Sequence, residues 1–530
     1  MIGLELTPSQ LQRGNPAPLA EYFSRSGGQA VAIGAAPGGG LSVWTEIAPH
    51  VAACLRLDNT VSGTRLSWRE TLIATLRNIY PAGDLTLTGS WVQMQSSGSG
   101  LAGSYTGNRA VSTTSAQAQA SVLVGRDAPY DLWVHYTGRV AGAYCRVAID
   151  GTQTLVNEID DPAGLGFKAF STHSAIDLHR RRSVKVASGL TGQHTVTLQH
   201  GGAAHPGGST LMIEAVAISG SLSDPRILPP VWQAGHTYTI GDEVQYGGVY
   251  YAARATGISG AHPPAHTAGV GSDGALDWRA DTRSTYPRFV CIDYPSEREY
   301  AIRCAVDGVT TEIGGQTHGN EALQNRSVML DGAPFLARTT GNGLRVGAHV
   351  TITETTIWQT SSGPLADCTL IRQITPGTVA HDVTVTATGP VASVDWLYIG
   401  MVPMVRWDGK SGTTVFDTVA VGDAPAVILA DFAGQTPPNI MHPAARSVGM
   451  SASLDDIVLR YGLSAGALPI TDNLVNRIDT FLRPNLEATT EGGSLDWKAK
   501  AYVTGGAPGG LTFGAGDVLG FFSRHVFGTI

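Results

Sequence analysis

The sequence predicts a mainly β, multidomain protein of antiparallel β-sandwich or jelly-roll modules, with a small helix-bearing unit at the N-terminus. Its 530 residues include 66 Gly and 28 Pro, and only 15% of them are charged. This composition is typical of short strands joined by turns. Most apolar segments alternate at strand spacing, which favours sheets over helices. The length accommodates three or four domains.

Charge, cysteine usage and hydropathy exclude several classes of protein. The formal net charge of −8 leaves no basic field, so we expect no nucleic-acid partner. The short basic run at 179–182 is interpreted as a solvated turn. Five cysteines without paired spacing are expected to be reduced and mostly buried. With neither a signal peptide nor a long apolar run, we expect synthesis in a bacterial cytoplasm and no membrane insertion.

Residues 1–83 form the predicted N-terminal unit. Residues 18–25 are a short helical candidate, and residues 67–80 are a longer one that ends at Pro81. Apolar side chains share one face of the second candidate: Leu66, Leu72, Ile73, Leu76 and Ile79. We expect this unit to attach the chain to a larger particle, and the alternative is an ordinary subdomain.

Residues 84–224 show strand alternation throughout, with no helical segment between the strands. Such a pattern predicts an antiparallel sandwich or jelly roll. The order YDLWVHYTGRVAGAYCRVAIDG, HTVTLQHGG and MIEAVAIS resembles the jelly-roll carbohydrate-binding domains of sugar-active enzymes. The resemblance implies a possible sugar site, for which the aromatic candidates are Trp91, Tyr105 and Trp133, although the alternation places Trp133 among packed positions.

Residues 229–282 form a small aromatic module. Its YTIGDEVQYGGVYYAA run predicts a three-stranded unit with a Gly-Gly turn, bracketed by two tryptophans. The pattern resembles chitin-binding-type carbohydrate-binding modules, and GISGAHPPAHTAGVGSDGALDW resembles the version in phage tail and spike proteins. The resemblance implies that aromatic rings stack on sugar, and the candidates, some of which must form the core, are Trp232, Tyr246, Tyr250, Tyr251 and Trp278. Alanines follow Tyr251 where chitinase modules carry an exposed aromatic residue, so a spacer role is the alternative.

Residues 286–530 are predicted to form a second, larger β-sandwich, whose closing SLDWKAKAYVTGG to GDVLGFF segment resembles the mutarotase-like supersandwich. The Asp307-Gly308 pair predicts a hairpin turn between two strands. Residues 472–482 are the one segment here with convincing helical spacing.

The clearest catalytic candidate is the GGQTHGNE segment, which contains His318 and Glu321. Its HGNE core is similar to the zinc motif of carboxypeptidase-like and desuccinylase enzymes, which implies His381 or His442 as a third ligand. The alternative, which we favour, is a Gly-rich turn whose side chains bond to the local backbone. We therefore expect no metal and no cofactor.

These observations predict a receptor-binding spike or fibre of a phage or phage-like particle, such as a gene transfer agent, that binds host capsule or another cell-surface polysaccharide. Its N-terminal region would contact other capsid or tail proteins, and a homotrimer or homopentamer would display the sites on the particle surface. Cell lysis would release the particles. The alternatives are a glycan-modifying hydrolase (a depolymerase or deacylase) and a purely structural spacer.

Overall fold

The computed structural model describes residues 25–530 except 37–38, 60–64, 96–104, 153–155, 157–167, 176, 202–207, 225, 248, 267–268, 281–288, 294–299, 315–319, 408–412, 415–417, 423–426, 429–439, 443–444, 455–456, 469–477 and 492–493. Within these residues the regular structure is almost wholly β, with 3₁₀ turns at Ala82–Asp84 and Thr106–Asn108 and no α-helix. The predicted mainly β class is therefore confirmed. No helix in this part of the chain is long and apolar enough to cross a membrane.

The first thirteen strands cover the N-terminal region and the first sandwich. They are Val31–Ala35 (β1), Leu41–Ala48 (β2), Val51–Asp58 (β3), Ser67–Thr75 (β4), Arg77–Pro81 (β5), Thr86–Thr88 (β6), Val92–Gln95 (β7), Arg109–Thr113 (β8), Gln119–Gly138 (β9), Tyr144–Ile149 (β10), Ala169–Ser171 (β11), His179–His200 (β12) and Leu211–Ser219 (β13).

The next six strands belong to the small module. They are Thr237–Tyr238 (β14), Glu243–Tyr246 (β15), Val249–Ala253 (β16), Gly257–Ile258 (β17), Val270–Ser272 (β18) and Asp277–Ala280 (β19).

The remaining strands form the C-terminal region. They are Phe289–Asp293 (β20), Ala301–Val306 (β21), Val309–Ile313 (β22), Glu321–Leu330 (β23), Ala333–Pro334 (β24), Arg345–Gly347 (β25), Val350–Thr360 (β26), Gly363–Thr375 (β27), Thr378–Ala387 (β28), Ala392–Trp407 (β29), Thr413–Thr414 (β30), Thr418–Val421 (β31), Val427–Ile428 (β32), Ile440–His442 (β33), Ser447–Leu454 (β34), Ile457–Leu468 (β35), Ile478–Glu491 (β36), Ser494–Phe513 (β37) and Val518–Thr529 (β38).

The strands assemble into sheets that are antiparallel apart from the β20–β30 pair. The first sandwich has the sheet order β11-β10-β12-β9-β13-β8-β7, with β5 and β6 joined at its side. Residues on its inner faces, from β9, β10, β12 and β13 among others, form one hydrophobic core. The long strands β9 and β12 pair from Gln119 to Gly138, so the predicted alternation at these positions is confirmed.

The C-terminal region contains a six-stranded sheet, β22-β21-β29-β37-β36-β33, and a ten-stranded sheet that runs from β24 to β32. A third sheet has the order β25-β1-β2-β3-β4-β20-β30, and all three contribute to one large core. Strand pairing therefore joins β1–β4 to the C-terminal region. The predicted domain boundaries stay predictions.

The predicted helix at 67–80 is wrong, because this segment forms β4 and β5. Along β4, Ile73 enters the large core whereas Leu72 and Ala74 enter a smaller cluster on the opposite face of the sheet. Both faces are covered, so a nearly continuous apolar run fits a strand as well as it fits a helix. The candidate helix at 18–25 lies outside the described residues up to position 24.

The predicted helix at 472–482 is also wrong where it can be compared, because Ile478–Glu491 is a strand. The residues of this candidate before Ile478 lie outside the described part.

The basic run at 179–182 is not a solvated turn. It begins β12, and Arg181 is buried with its backbone N–H bonded to Glu214 Oε1 at 2.8 Å.

In the described part of the chain four cysteines are buried thiols, as predicted: Cys54, Cys145, Cys304 and Cys368. The Asp307-Gly308 turn is confirmed as well. Both residues have positive φ angles, 50° and 77°, and they join β21 to β22.

Candidate functional site

The aromatic module holds more strands than its sequence predicts. Its main sheet has the order β15-β16-β19-β18, and β14 pairs with β17 beside it. Strands β15 and β16 form a hairpin in which Tyr246 is the partner of Val249. Gly247 in the turn has φ of 57°, a left-handed conformation that glycine adopts without strain. This turn carries Tyr246 away from the centre of the sheet.

Three of the five candidate sugar-binding residues, Trp232, Tyr251 and Trp278, belong to the module core. Trp278 is fully buried, and its indole N–H donates to Asp273 Oδ2 at 2.9 Å. Tyr251 is also buried, and its hydroxyl donates to the His266 carbonyl at 2.7 Å. Burial raises the pKa of Tyr251 to about 12. The faces of Trp278 and Tyr251 pack inside the module, so neither ring is available for stacking on a ligand.

Asp273 organises this core. Trp232 Nε1 donates to the same Asp273 oxygen at 3.3 Å, and the backbone N–H of Leu276 donates to Asp273 Oδ1 at 2.8 Å. Burial opposes the ionisation of Asp273, but hydrogen bonds from Leu276 and Trp278 outweigh it, so the pKa of this carboxyl lies below its usual value. The charged carboxylate thus holds the tryptophans at both ends of the module in place.

Tyr246, Tyr250 and the buried Trp232 line a cleft between the module and the seven-stranded sheet, which we call the module cleft. Its volume is about 470 Å³, within the general range for small-ligand sites. Tyr246 is 43% exposed at this cleft and contacts the Trp232 ring edge-on, with centroids 6.2 Å apart. Tyr250 is half-buried and packs against the cluster on the outer face of the sheet.

The opposite wall of the module cleft comes from distant parts of the chain. Trp44 and Ser42 of β2 contribute from the sheet, and a loop contributes Ala337, Arg338 and Thr339. Arg338 is the one charged side chain among the described residues that line this cleft. Sequence reasoning missed this wall, because no local pattern connects residues 337–339 with the aromatic module.

Hydrogen bonds from Val231 and Gln245 join the two walls, and one from Trp232 to Gln245 orders the module wall. The N–H of Val231 donates to the Gly341 carbonyl at 2.6 Å, and the N–H of Trp232 donates to the Gln245 carbonyl at 2.8 Å. The Gln245 side chain donates to the Pro229 carbonyl at 3.0 Å and also contacts the Asn342 carbonyl. The cleft is therefore held open by contacts within its own walls and is formed before any ligand binds.

The aromatic candidates in the first sandwich are less accessible. Tyr105 is buried. Trp133 is half-buried with the Arg77 guanidinium 4.3 Å from its ring centroid, in agreement with the packed position that the alternation indicates. Trp91 packs against the sandwich core, and its indole N–H donates to the Thr88 carbonyl at 3.0 Å.

The metal-site candidates are not brought together in the described residues. His318 lies outside them, and so does the His442 side chain. Glu321 is buried and accepts hydrogen bonds from Trp358 Nε1 at 2.8 Å and Arg65 at 3.3 Å. His381 is buried beside Tyr300 and Arg372. No group of three His, Cys, Asp or Glu residues that could hold a metal occurs in the part of the chain that the structure describes.

No protein-family model and no curated protein matches this sequence. Similar solved structures include a family 35 carbohydrate-binding module from Clostridium thermocellum, with 15% identity over 27% of this chain and 98% of that chain and a TM-score of 0.21. The CBM36-1 domain of a multidomain xylanase from the hindgut metagenome of Trinervitermes trinervoides has 15% identity over the same shares and a TM-score of 0.18. A Podospora anserina GH26-CBM35 β-(1,4)-mannanase has 17% identity over 28% of each chain and a TM-score of 0.19.

Proposed function

We propose that this protein binds polysaccharide in the module cleft, and the observation that carries the proposal is the exposed ring of Tyr246 at its mouth. Sugar rings present C–H faces that stack on aromatic surfaces, while their hydroxyls bond to nearby polar groups. Tyr250 supplies a second, half-buried ring in the same cleft. Ser42 and Arg338 supply polar groups on the opposite wall.

The charge of the cleft favours a particular kind of glycan. The exposed Arg338 guanidinium donates to the Leu344 carbonyl through Nη1 at 3.4 Å, which leaves other N–H groups for a ligand. Arginine binds carboxylate and phosphate groups through parallel hydrogen bonds. The ligand of this cleft is therefore a polysaccharide with an acidic group within reach of the stacked sugar, as many surface polysaccharides have.

The narrower proposal is a receptor-binding spike or fibre on the surface of a phage or phage-like particle, which attaches to host capsule or another cell-surface polysaccharide. The resemblance of residues 229–282 to modules of phage tail and spike proteins supports it. A homotrimer or homopentamer, held to capsid or tail proteins through its N-terminal region, would bring several weak sites to one cell surface and raise the apparent affinity.

A structural spacer is the second candidate function, and the docking of the module favours it. The module contacts the first sandwich through Arg109, which donates to Asp242 at 2.9 Å, and through Gln95, which donates to the Ala253 carbonyl at 2.9 Å. It contacts the C-terminal region through Gln245 and Val231. A module held on both sides also serves to set the separation of two larger domains.

Binding to host cells with and without capsule separates these functions. Tyr246→Ala and Tyr250→Ala should each weaken capsule-dependent binding of the purified full-length protein, because each removes a stacking surface. Ile258→Ala is the matched control, since Ile258 is exposed on the module but does not line the cleft. Wild-type binding by both tyrosine variants would contradict the proposal, and the absence of any binding would favour the spacer. Shortening of the polysaccharide after incubation would instead indicate a hydrolase.

A further inference from the structure

A second cleft lies on the other side of the segment that leads into the module, between the module and the first sandwich. Its volume is about 440 Å³, and we call it the junction cleft. Leu228 lines both clefts, so they lie on either side of this segment. Asp84 and Arg109 contribute from the sandwich, Arg226 from the connecting segment, and Tyr238 and Asp242 from the module.

Two ion pairs line the junction cleft. Arg226 pairs with Asp84, and their side chains are 44% and 36% exposed. Arg109 pairs with Asp242 at 2.9 Å, and the Asp242 side chain is 39% exposed. A guanidinium has five N–H donors and a carboxylate has four acceptor positions, so each pair keeps hydrogen-bonding capacity on its exposed side. Vicinal hydroxyls of a sugar are the ligand groups that use adjacent donors and acceptors together.

The charged groups are held in position before a ligand arrives. The Arg226 guanidinium lies 4.4 Å from the centroid of the Tyr80 ring. Arg109 passes between two glycines, because a Cβ at Gly83 would come within 2.0 Å of its Nη1 and a Cβ at Gly241 within 2.4 Å of its Nε. Both walls thus leave room for this arginine, and its donation to the Thr239 carbonyl at 3.1 Å fixes it further. Fixed groups lose little conformational entropy on binding.

We propose that the junction cleft is a second saccharide site, which binds uncharged sugar units. Its lining contains two arginines and three acidic residues, Asp84, Asp242 and Glu243, which leaves one excess negative charge. That excess disfavours acidic sugars, in contrast to the positive charge of Arg338 in the module cleft. The proposal rests on the proposed function, because both clefts would bind polysaccharide, and it adds that the recognised polymer contains neutral units.

Affinity electrophoresis of the full-length protein tests this site. Gels contain galactomannan, xyloglucan or dextran as neutral probes and alginate as the anionic probe. We expect at least one neutral polysaccharide to retard the wild type. The Asp84→Ala/Arg226→Ala double variant should bind that probe at least about tenfold more weakly, because it removes both charged hydrogen-bonding partners of the sugar hydroxyls. Removing both partners leaves no lone charge, and an exposed pair contributes little to stability.

The matched control is Arg139→Ala/Asp177→Ala, which removes another exposed ion pair from the same sandwich. It should bind as the wild type does. Equal retardation of the Asp84→Ala/Arg226→Ala variant and the wild type by a neutral polysaccharide would overturn the junction site. Retardation by alginate alone would also overturn the junction site, but it would leave the module cleft standing. Neutral-probe retardation that Asp84→Ala/Arg226→Ala loses and Tyr246→Ala keeps would support the junction site. Alginate retardation that Tyr246→Ala leaves unchanged would overturn the module cleft without affecting the junction site. No retardation by any probe would overturn both.

Discussion

Replacement of Glu321 by alanine should destabilise the C-terminal sandwich strongly and leave metal content unchanged. The Glu321 side chain is fully buried on β23, and Arg65, its ion-pair partner at 3.3 Å, is 5% exposed. Trp358 donates its indole N–H to the same carboxylate oxygen at 2.8 Å. Burial raises the pKa of Glu321, and the nearby Arg65 partly offsets this effect. The carboxylate thus serves the packing of the strands around it.

The size of the effect follows from this burial. Removing one partner of a buried ion pair costs about 3–5 kcal/mol, and the charge of Glu354, which also acts on Arg65, places the Glu321→Ala cost at the lower end of that range. The cost of losing the hydrogen-bond acceptor of Trp358 is included in that range, because the energies of interactions that share one carboxylate are not additive. Arg303 and Asp395 form the matched control, an ion pair of the same region with side chains 43% and 44% exposed. Asp395→Asn should cost about 1 kcal/mol or less.

Native-state hydrogen exchange measured by mass spectrometry reads this free energy locally, which suits a multidomain chain better than one global unfolding curve. Peptides from β23 and β26 should lose protection in Glu321→Ala, whereas the module peptides should not change. Protection equal to the wild type would refute the packing argument. Stoichiometric zinc that disappears in both Glu321→Ala and His318→Ala would instead establish the metal site that the HGNE resemblance implies.

Three further perturbations test the site and its scaffold. Trp278→Ala should cost about 3–5 kcal/mol, as large-to-small changes of buried aromatics do, and hydrogen exchange should then show loss of protection confined to the module peptides. The hydrogen bond from His194 lowers the pKa of Asp150, so Asp150→Asn should be less stable than the wild type at pH 6. That difference should shrink as pH falls below about 3.9, the value for an unfolded aspartate, and thermal melts over this pH range would show it. Burial raises the pKa of Cys304 to about 11 and of Cys368 to about 12, so iodoacetamide at pH 8 should leave both thiols unmodified until the protein unfolds, as peptide mass spectrometry would show.

Local sequence patterns were sufficient for the strands of the first sandwich and for the hairpin at Asp307-Gly308. Most of these strands, in contrast to the fully buried β13, alternate between a buried and a more exposed face, and the turn residues accept positive φ, so pattern and structure agree. The failure at 67–80 has a physical cause. A strand that is buried on both faces is apolar at nearly every position, and the spacing of its residues then fits a helix equally well.

For the aromatic residues of the module, too, local pattern predicts one part of the arrangement and the fold decides the other. Strand alternation places Tyr250 and Tyr251, neighbours on one strand, on opposite faces, so that only one of them belongs to the module core. The fold selects Tyr251 as the buried one, and it brings Tyr246 and Tyr250 to a cleft that Arg338 also lines. The reason is that strand alternation is a local property of the backbone, whereas the facing wall comes from a loop brought near by sheet packing.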